Sequence, residues 1–429
     1  MTQHQLATGR IATMIKLAVA AGAKVSSAFV AFALTALVTR NLPNDQAGLF
    51  LLGFTILAVF SVVVRLGLDN VVLRFLSAHG LDEYAQEKLN RAILWVATVS
   101  LPVTALAMAL SRPIAEHVFN KPDFGPVLFW MLPALPAIAL FYLVSLAFQS
   151  QHRVILTTLF QNLGISGLFV MGLGYAWYAY PEQLTVLLLA KIYSGAAVIV
   201  LVSAFTLWLS QNDSRLTLVG YKDSEMTSAA MNLWTASLMS LSVQWAGVLI
   251  AGTMLPAEEV ALLSAAQRTA LLLSFVLLVV NMVVAPHFAR LWKDGDVARI
   301  KYIAKWSVRG MVVVVTPLLA VMITFSERIM SLFGEGFDEA ALLLTVMASG
   351  QFINVVTGSV GLLLTMSGHE REFNQVTLFS GPTTIMLTVI LTNYFGIFGT
   401  AVATAIGIAI QNIGATVLVK RRLGFFLFI

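Results

Sequence analysis

Long apolar runs separated by short polar gaps fill the chain from end to end. Windows of ~19 residues resolve twelve segments, at about 17–39, 47–68, 92–110, 126–149, 154–178 and 184–209, then about 228–251, 259–286, 303–325, 340–366, 373–394 and 397–419. Each is a continuous apolar run of ~20 residues, the length a helix needs to cross a bilayer, and none has the short alternation of a barrel strand. The pattern predicts an all-α polytopic membrane protein with 12 transmembrane helices. The first run is too long for the core of a signal peptide and is read as the first span. Pro102, Pro133, Pro136, Pro286, Pro317 and Pro382 fall within spans and are expected to bend them.

Composition agrees. Of 429 residues, 59% are hydrophobic and 11% charged, with a mean hydropathy of +0.86, whereas soluble domains carry roughly 25% charged residues. The net charge of +5 does not point to nucleic acid, because no basic stripe interleaved with aromatics is present. With the N-terminus inside, 18 Lys and Arg flank the cytoplasmic ends of spans, among them Arg74, Lys88, Arg153, Arg290, Lys305 and Arg421. Only Arg40, Arg112, Lys121 and Arg328 flank the other face. That bias orients both termini to the cytoplasm. Trp177, Tyr178, Tyr180, Trp208, Trp292, Tyr302 and Trp306 fall at span ends, as an interfacial belt requires.

The loops are short, and the one at 210–227 carries Asp213, Arg215, Lys222, Asp223 and Glu225. It is read as a cytoplasmic linker between an N-terminal six-helix lobe, 1–209, and a C-terminal six-helix lobe, 228–429. The halves align at an offset of about 213 to 217 residues: Leu42-Pro43 with Leu255-Pro256, Arg74-Phe75 with His287-Phe288, and Gln151-His152-Arg153 with Gly368-His369-Glu370. Repeats with an even number of spans share one orientation. Two such lobes around a central cavity make an alternating-access transporter.

Four cations lie inside or at the edge of spans, Lys24, Arg65, Lys191 and Arg268, and no Asp or Glu lies near the middle of any span. A cation at mid-depth costs roughly 2.5–3.5 kcal/mol on insertion scales, so such residues face a wet interior and mark a path, here one for an anion. Lys24 shares a face of small residues with Ala21, Ala28, Ala31 and Thr35, while Arg268 is flanked by Ser264 and Gln267. Two of the four have alternatives. Arg65 either contacts substrate or pairs with Asp69 four residues on, in the less favoured order for one helix, and Lys191 either contacts substrate or snorkels to headgroups. Asn162, Gln244, Asn281, Gln351 and Asn354 can bind sugar hydroxyls or simply join helices. His152 and His369 are solvated turn residues or, alternatively, proton couplers.

Arg40-Asn41-Leu42-Pro43, Ala47-Gly48-Leu49-Phe50, Leu66-Gly67-Leu68-Asp69 and Arg74-Phe75-Leu76-Ser77 together resemble the opening of polysaccharide-export flippases. Ala265-Ala266-Gln267-Arg268, Leu332-Phe333-Gly334 with Phe337, Thr365-Met366-Ser367-Gly368-His369-Glu370 and Phe395-Gly396-Ile397-Phe398-Gly399-Thr400-Ala401 extend the likeness over nearly the whole chain. The resemblance is to the O-antigen flippase branch of the multidrug/oligosaccharidyl-lipid/polysaccharide exporter superfamily. It implies translocation of an undecaprenyl-diphosphate-linked oligosaccharide from the cytoplasmic to the periplasmic leaflet of a bacterial inner membrane. It also implies two lobes around a central cavity and membrane lipids as partners; the order of such a pathway adds a polysaccharide polymerase as an expected partner, and no cofactor is expected. Arg65 departs from the acidic or neutral residue that precedes Leu-Gly-Leu in relatives.

No Gly-rich phosphate loop with Lys, His pair at metal spacing or paired intramembrane carboxylates is present, and there is no cysteine, so the chain is not expected to be an enzyme. Two alternatives stand beside the flippase. An ion-coupled organic cation exporter of the same fold needs buried carboxylates, for which Asp69 is the one candidate. A membrane glycosyltransferase or O-antigen ligase needs a sizeable periplasmic loop, which the short gaps disfavour.

Overall fold

The computed structural model describes residues 22, 26, 29–79, 82–151, 153–179, 184–211 and 224–427. Every regular element among them is helical. The principal helices are α1 (Phe29–Asn41), α2 (Asn44–Val64), α3 (Leu68–His79), α4 (Glu83–Ala109), α5 (Phe124–Met131), α6 (Ala134–Ser150), α7 (Gly164–Ala179) and α8 (Val186–Gln211). They continue as α9 (Ser224–Met254), α10 (Ala257–Leu271), α11 (Ser274–Lys293), α12 (Val297–Thr324), α13 (Ala341–Val356), α14 (Val360–Met366) and α15 (Glu370–Leu423). Nine described helical stretches are long and apolar enough to cross a membrane, or ten when a helix pair bent by 56° near Gln161 counts as one span.

The elements fall into two compact units, one of Asn41–Leu238 and one of Met1–Arg40 with Met239–Ile429. The second unit takes in the first helix, which the expected division at 209 had assigned to the N-terminal lobe. Side chains explain the attachment. Phe32 meets Phe333 edge-on at 5.0 Å, Arg40 Nε donates to the Leu332 carbonyl at 2.7 Å, and Gly334 turns the chain at φ 128°, a conformation that favours glycine. Phe333 and Phe337 are fully buried.

Several breaks have local causes. Pro43 and Pro256 both sit at N-cap positions with the same extended backbone, φ/ψ −54°/150° and −56°/156°. Each pre-sets the chain for the first helical turn that follows. Pro133 separates α5 from α6, whereas Pro102 and Pro317 lie inside uninterrupted helices and Pro382 lies in the first arm of α15. The bend before α7 follows a π turn, Leu159–Leu163.

The long α15 is two helices meeting at Gly396, whose φ/ψ of 57°/−141° is not helical. The two arms run antiparallel. Thr392 and Thr400 exchange a hydrogen bond at 2.7 Å, Gly407 abuts Thr384, Gly414 abuts Val376, and Arg422 pairs with Glu372 at 2.9 Å. Two regions differ from expectation. The stretch after the second span, expected to be loop, forms α3, which buries Leu68, Val71, Val72, Phe75 and Leu76 at helical spacing. The last residues of the expected linker form the start of α9.

Candidate functional site

The four sequence-predicted cations occupy three kinds of environment. Lys24 lies outside the described residues. In the Asn41–Leu238 unit, Arg65 is 5% exposed and donates from Nε to Asp69 Oδ2 at 2.9 Å, and its guanidinium lies 4.1 Å from the Tyr142 ring centre. The backbone makes this pairing. Leu66 and Gly67, at φ 55° and 72°, break the chain, so Arg65 stands at the C-cap of α2 and Asp69 in the first turn of α3. The order that would be unfavourable within one helix is therefore favourable here, with a cation at one helix C-terminus and an anion at the next N-terminus. Nothing larger than glycine fits at 67, because an added Cβ would lie 2.4 Å from the Ala230 carbonyl. Trp234 Nε1 caps the break by donating to the Val63 carbonyl at 3.0 Å.

Lys191, on α8 of the same unit, is exposed, and its Nζ lies 4.6 Å from the Trp130 ring centre. Ser194, one turn on, donates to the Trp130 carbonyl at 2.6 Å, which fixes the aromatic beneath the ammonium.

In the other unit, Arg268 is 9% exposed in the last turn of α10, and Nη1 donates to the Thr35 hydroxyl at 3.1 Å. Thr35 is fully buried and gives its own proton to the Ala31 carbonyl at 3.0 Å, leaving its lone pairs to accept from Arg268.

The neighbouring Gln267 donates to the Gln244 carbonyl. Further along the unit, Ser274 donates to Gln351 Oε1, and Asn354 Nδ2 donates to Ser274 at 3.3 Å. Asn281 and Asn354 line one pocket with Ser359, Phe373, Gln411 and Asn412. Ser274, Ser359, Gln411 and Asn412 were not singled out from sequence. The i,i+3 pair Gln351 and Asn354 followed by Gly358-Ser359 is the signal that could have found that pocket. The side chain of Asn162 is not described, and neither is His152. His369 accepts or donates a hydrogen bond with Ser367 at 3.0 Å and meets the Trp292 ring edge-on. Among the described residues no group of three or more His, Cys, Asp or Glu is placed to hold a metal.

A multi-pass helical bundle with cations buried in its apolar helices defines a membrane protein of transporter fold. The chain belongs to the polysaccharide biosynthesis protein family, whose sequence pattern matches residues 16–292, more than half of its length. It is 25% identical over 170 residues to a probable low-salt glycan biosynthesis flippase, Agl15, of Haloferax volcanii; the match covers 39% of this chain and 36% of that protein.

Solved transporter structures share the fold. An inward-facing multidrug resistance MATE-family transporter of the MOP superfamily superposes with a TM-score of 0.71 at 13% identity, covering 94% of this chain and 98% of that one. The lipid II flippase MurJ, in an inward closed conformation, superposes with a TM-score of 0.68 at 12% identity, covering 94% and 87%.

Proposed function

We propose that the chain is a flippase that carries an undecaprenyl-diphosphate-linked oligosaccharide, an O-antigen repeat or a related unit, from the cytoplasmic to the periplasmic leaflet of a bacterial inner membrane. The observation that carries this reading is the family match over residues 16–292, to which the glycan-flippase relative adds support. A diphosphate brings about two negative charges into a low-dielectric region, and buried cations offset part of its desolvation. Arg268 is the principal anion-binding group, with its fork aimed by Thr35. Lys24, read from sequence alone, and Lys191 complete the set, while Arg65, tied to Asp69, holds its own helix break. Transport proceeds by alternating access between two lobes, with both termini cytoplasmic, and the chain does no chemistry on its cargo. The polymerase that consumes the flipped unit is its partner.

The test is complementation of an O-antigen flippase deletion at matched membrane expression. Rescue of surface polysaccharide by wild type and its loss in Arg268→Ala support the reading, whereas full rescue by Arg268→Glu overturns the anionic-path mechanism.

The second reading, export of organic cations, is favoured by the MATE-family fold match. It requires ethidium efflux that survives Arg268→Ala.

A further inference from the structure

Within the Met239–Ile429 unit, the helix that begins as α13 breaks at Thr357, Gly358 and Ser359 before resuming as α14. Gly358 takes φ 78°, and a Cβ there would lie 2.4 Å from a methyl of Val308, so the break is built for glycine. Irregular backbone among membrane-spanning helices is tolerated where it is buried in protein or lines a cavity. Here it lines a pocket of about 190 Å³, whose other walls are Asn281, Asn354, Phe373, Gln411 and Asn412.

Two polar groups of this pocket lack a hydrogen-bond partner within the protein. Ser359 occupies the N-cap position of α14, where a serine normally accepts from the helix's own N–H groups, yet it makes no capping bond. Its Oγ is buried and unbonded, with the residue 5% exposed, and Asn281 Oδ1 is likewise buried and unbonded. A buried polar atom left unpaired costs roughly 1–3 kcal/mol. Two of the other polar walls are anchored: Asn412 Nδ2 donates to the Ile408 carbonyl at 2.9 Å and Asn354 is held by Ser274 and Gln351.

No lining residue is charged. Amides and a hydroxyl offer donors and acceptors in equal measure, which suits a ligand that both gives and takes hydrogen bonds. Phe373 adds an apolar face, and Gly361 lets its ring approach, since a Cβ there would meet that ring at 2.8 Å. The volume falls below the ~300–1,000 Å³ of sites for drug-sized ligands.

We propose that this pocket binds one neutral sugar ring of the glycan, with Ser359 and Asn281 bonding its hydroxyls and Phe373 covering its C–H face. The inference rests on the flippase reading for the source of the sugar, but the pocket's chemistry is separate from the diphosphate and from Arg268.

The experiment measures binding to full-length protein in nanodiscs by intrinsic tryptophan fluorescence. The probes are undecaprenyl diphosphate, the same lipid bearing one N-acetylhexosamine or one hexose, and the methyl glycosides of those sugars. The expected result is tighter binding of a glycosylated lipid than of the bare one. Ser359→Ala and Asn281→Ala each weaken the glycosylated lipid about five- to tenfold and leave the bare lipid unchanged. Ser359→Thr, which keeps the hydroxyl, restores affinity and controls for folding. Arg268→Ala weakens both lipids.

Equal affinity for bare and glycosylated lipids, or pocket variants that weaken both alike, overturns the sugar pocket and leaves the flippase reading standing. Binding of a methyl glycoside that Ser359→Ala abolishes, with no binding of any diphosphate lipid, keeps the sugar pocket and overturns the flippase reading. No binding of any probe overturns both.

Discussion

Arg65 and Arg268 are both buried in apolar helices, at 5% and 9% exposure, and they teach different lessons. Arg65 faces a carboxylate 2.9 Å away and an aromatic ring, and the helix break between Arg65 and Asp69 gives each charge a favourable helix end. Arg268 donates to the Thr35 hydroxyl from the last turn of α10. A buried ion pair is electrically closed and is costly chiefly when one partner is removed. A threonine hydroxyl orients a guanidinium without bringing a charge of its own. Position in a span marked both residues as candidates, and the carboxylate beside Arg65 singles that residue out as structural.

The sharpest way to break the comparison is to exchange the consequences of losing each cation. Arg268→Ala is expected to lower flipping of the glycan-lipid roughly 10- to 100-fold, the equivalent of one charge-assisted hydrogen bond, with little change in thermal stability. Charge reversal to Glu is expected to abolish it. Reconstituted vesicles with a fluorescently tagged polyprenyl diphosphate measure both. Transport within twofold of wild type in Arg268→Ala would place Arg268 with Arg65 as a structural cation.

Arg65→Ala tests the other side. It leaves Asp69 buried, and breaking such a pair costs about 3–5 kcal/mol, so a large fall in unfolding temperature in detergent and low membrane abundance are expected. Removing both charges, Arg65→Leu with Asp69→Leu, is expected to recover most of the stability and to transport. A stable double variant with no transport would return Arg65 to the substrate path.

A smaller effect is expected at Thr35. Thr35→Val keeps the shape and removes the acceptor, so Arg268 loses its aim but not its charge. Transport is expected to fall about three- to tenfold, corresponding to one neutral hydrogen bond, and Thr35→Ser is expected to rescue it. Identical flipping in Thr35→Val and wild type would show that Arg268 is positioned by other contacts.

Much of the fold was legible because membrane spans announce themselves by length and hydropathy. The break at Gly396 falls in the gap expected between the segments at 373–394 and 397–419, and the structure makes it the turn of a helical hairpin, with Gly399 and Gly407 in close contact across it. The amphipathic α3 was not legible as an apolar span because polar and charged residues alternate with its buried positions 68, 71, 72, 75 and 76. The break at Gly358 was hidden because one glycine in an apolar run is usually tolerated within a helix, and its effect depends on Val308, about fifty positions earlier. The Arg65–Asp69 pair was legible from spacing, but its favourable order needed the backbone at Leu66 and Gly67. Thr35 as the acceptor for Arg268 was illegible, since 233 residues separate them.

Lys191 gives the smallest expected effect and the finest cut. Its ammonium rests on the Trp130 ring at 4.6 Å while the residue stays exposed. Such a contact is worth roughly 0.5–1 kcal/mol at exposed sites, so Lys191→Gln is expected to leave folding intact and to cut transport only about two- to fivefold. An exposed cation is also screened by salt, with a Debye length of about 8 Å at physiological ionic strength. Raising the salt should therefore shrink the difference between Lys191→Gln and wild type while the deficit of Arg268→Ala persists. If salt erases both deficits alike, Arg268 meets its anion through solvent as Lys191 does, and burial has conferred no advantage on it. If it erases neither, the anion reaches Lys191 in a desolvated state, and the two residues serve one path.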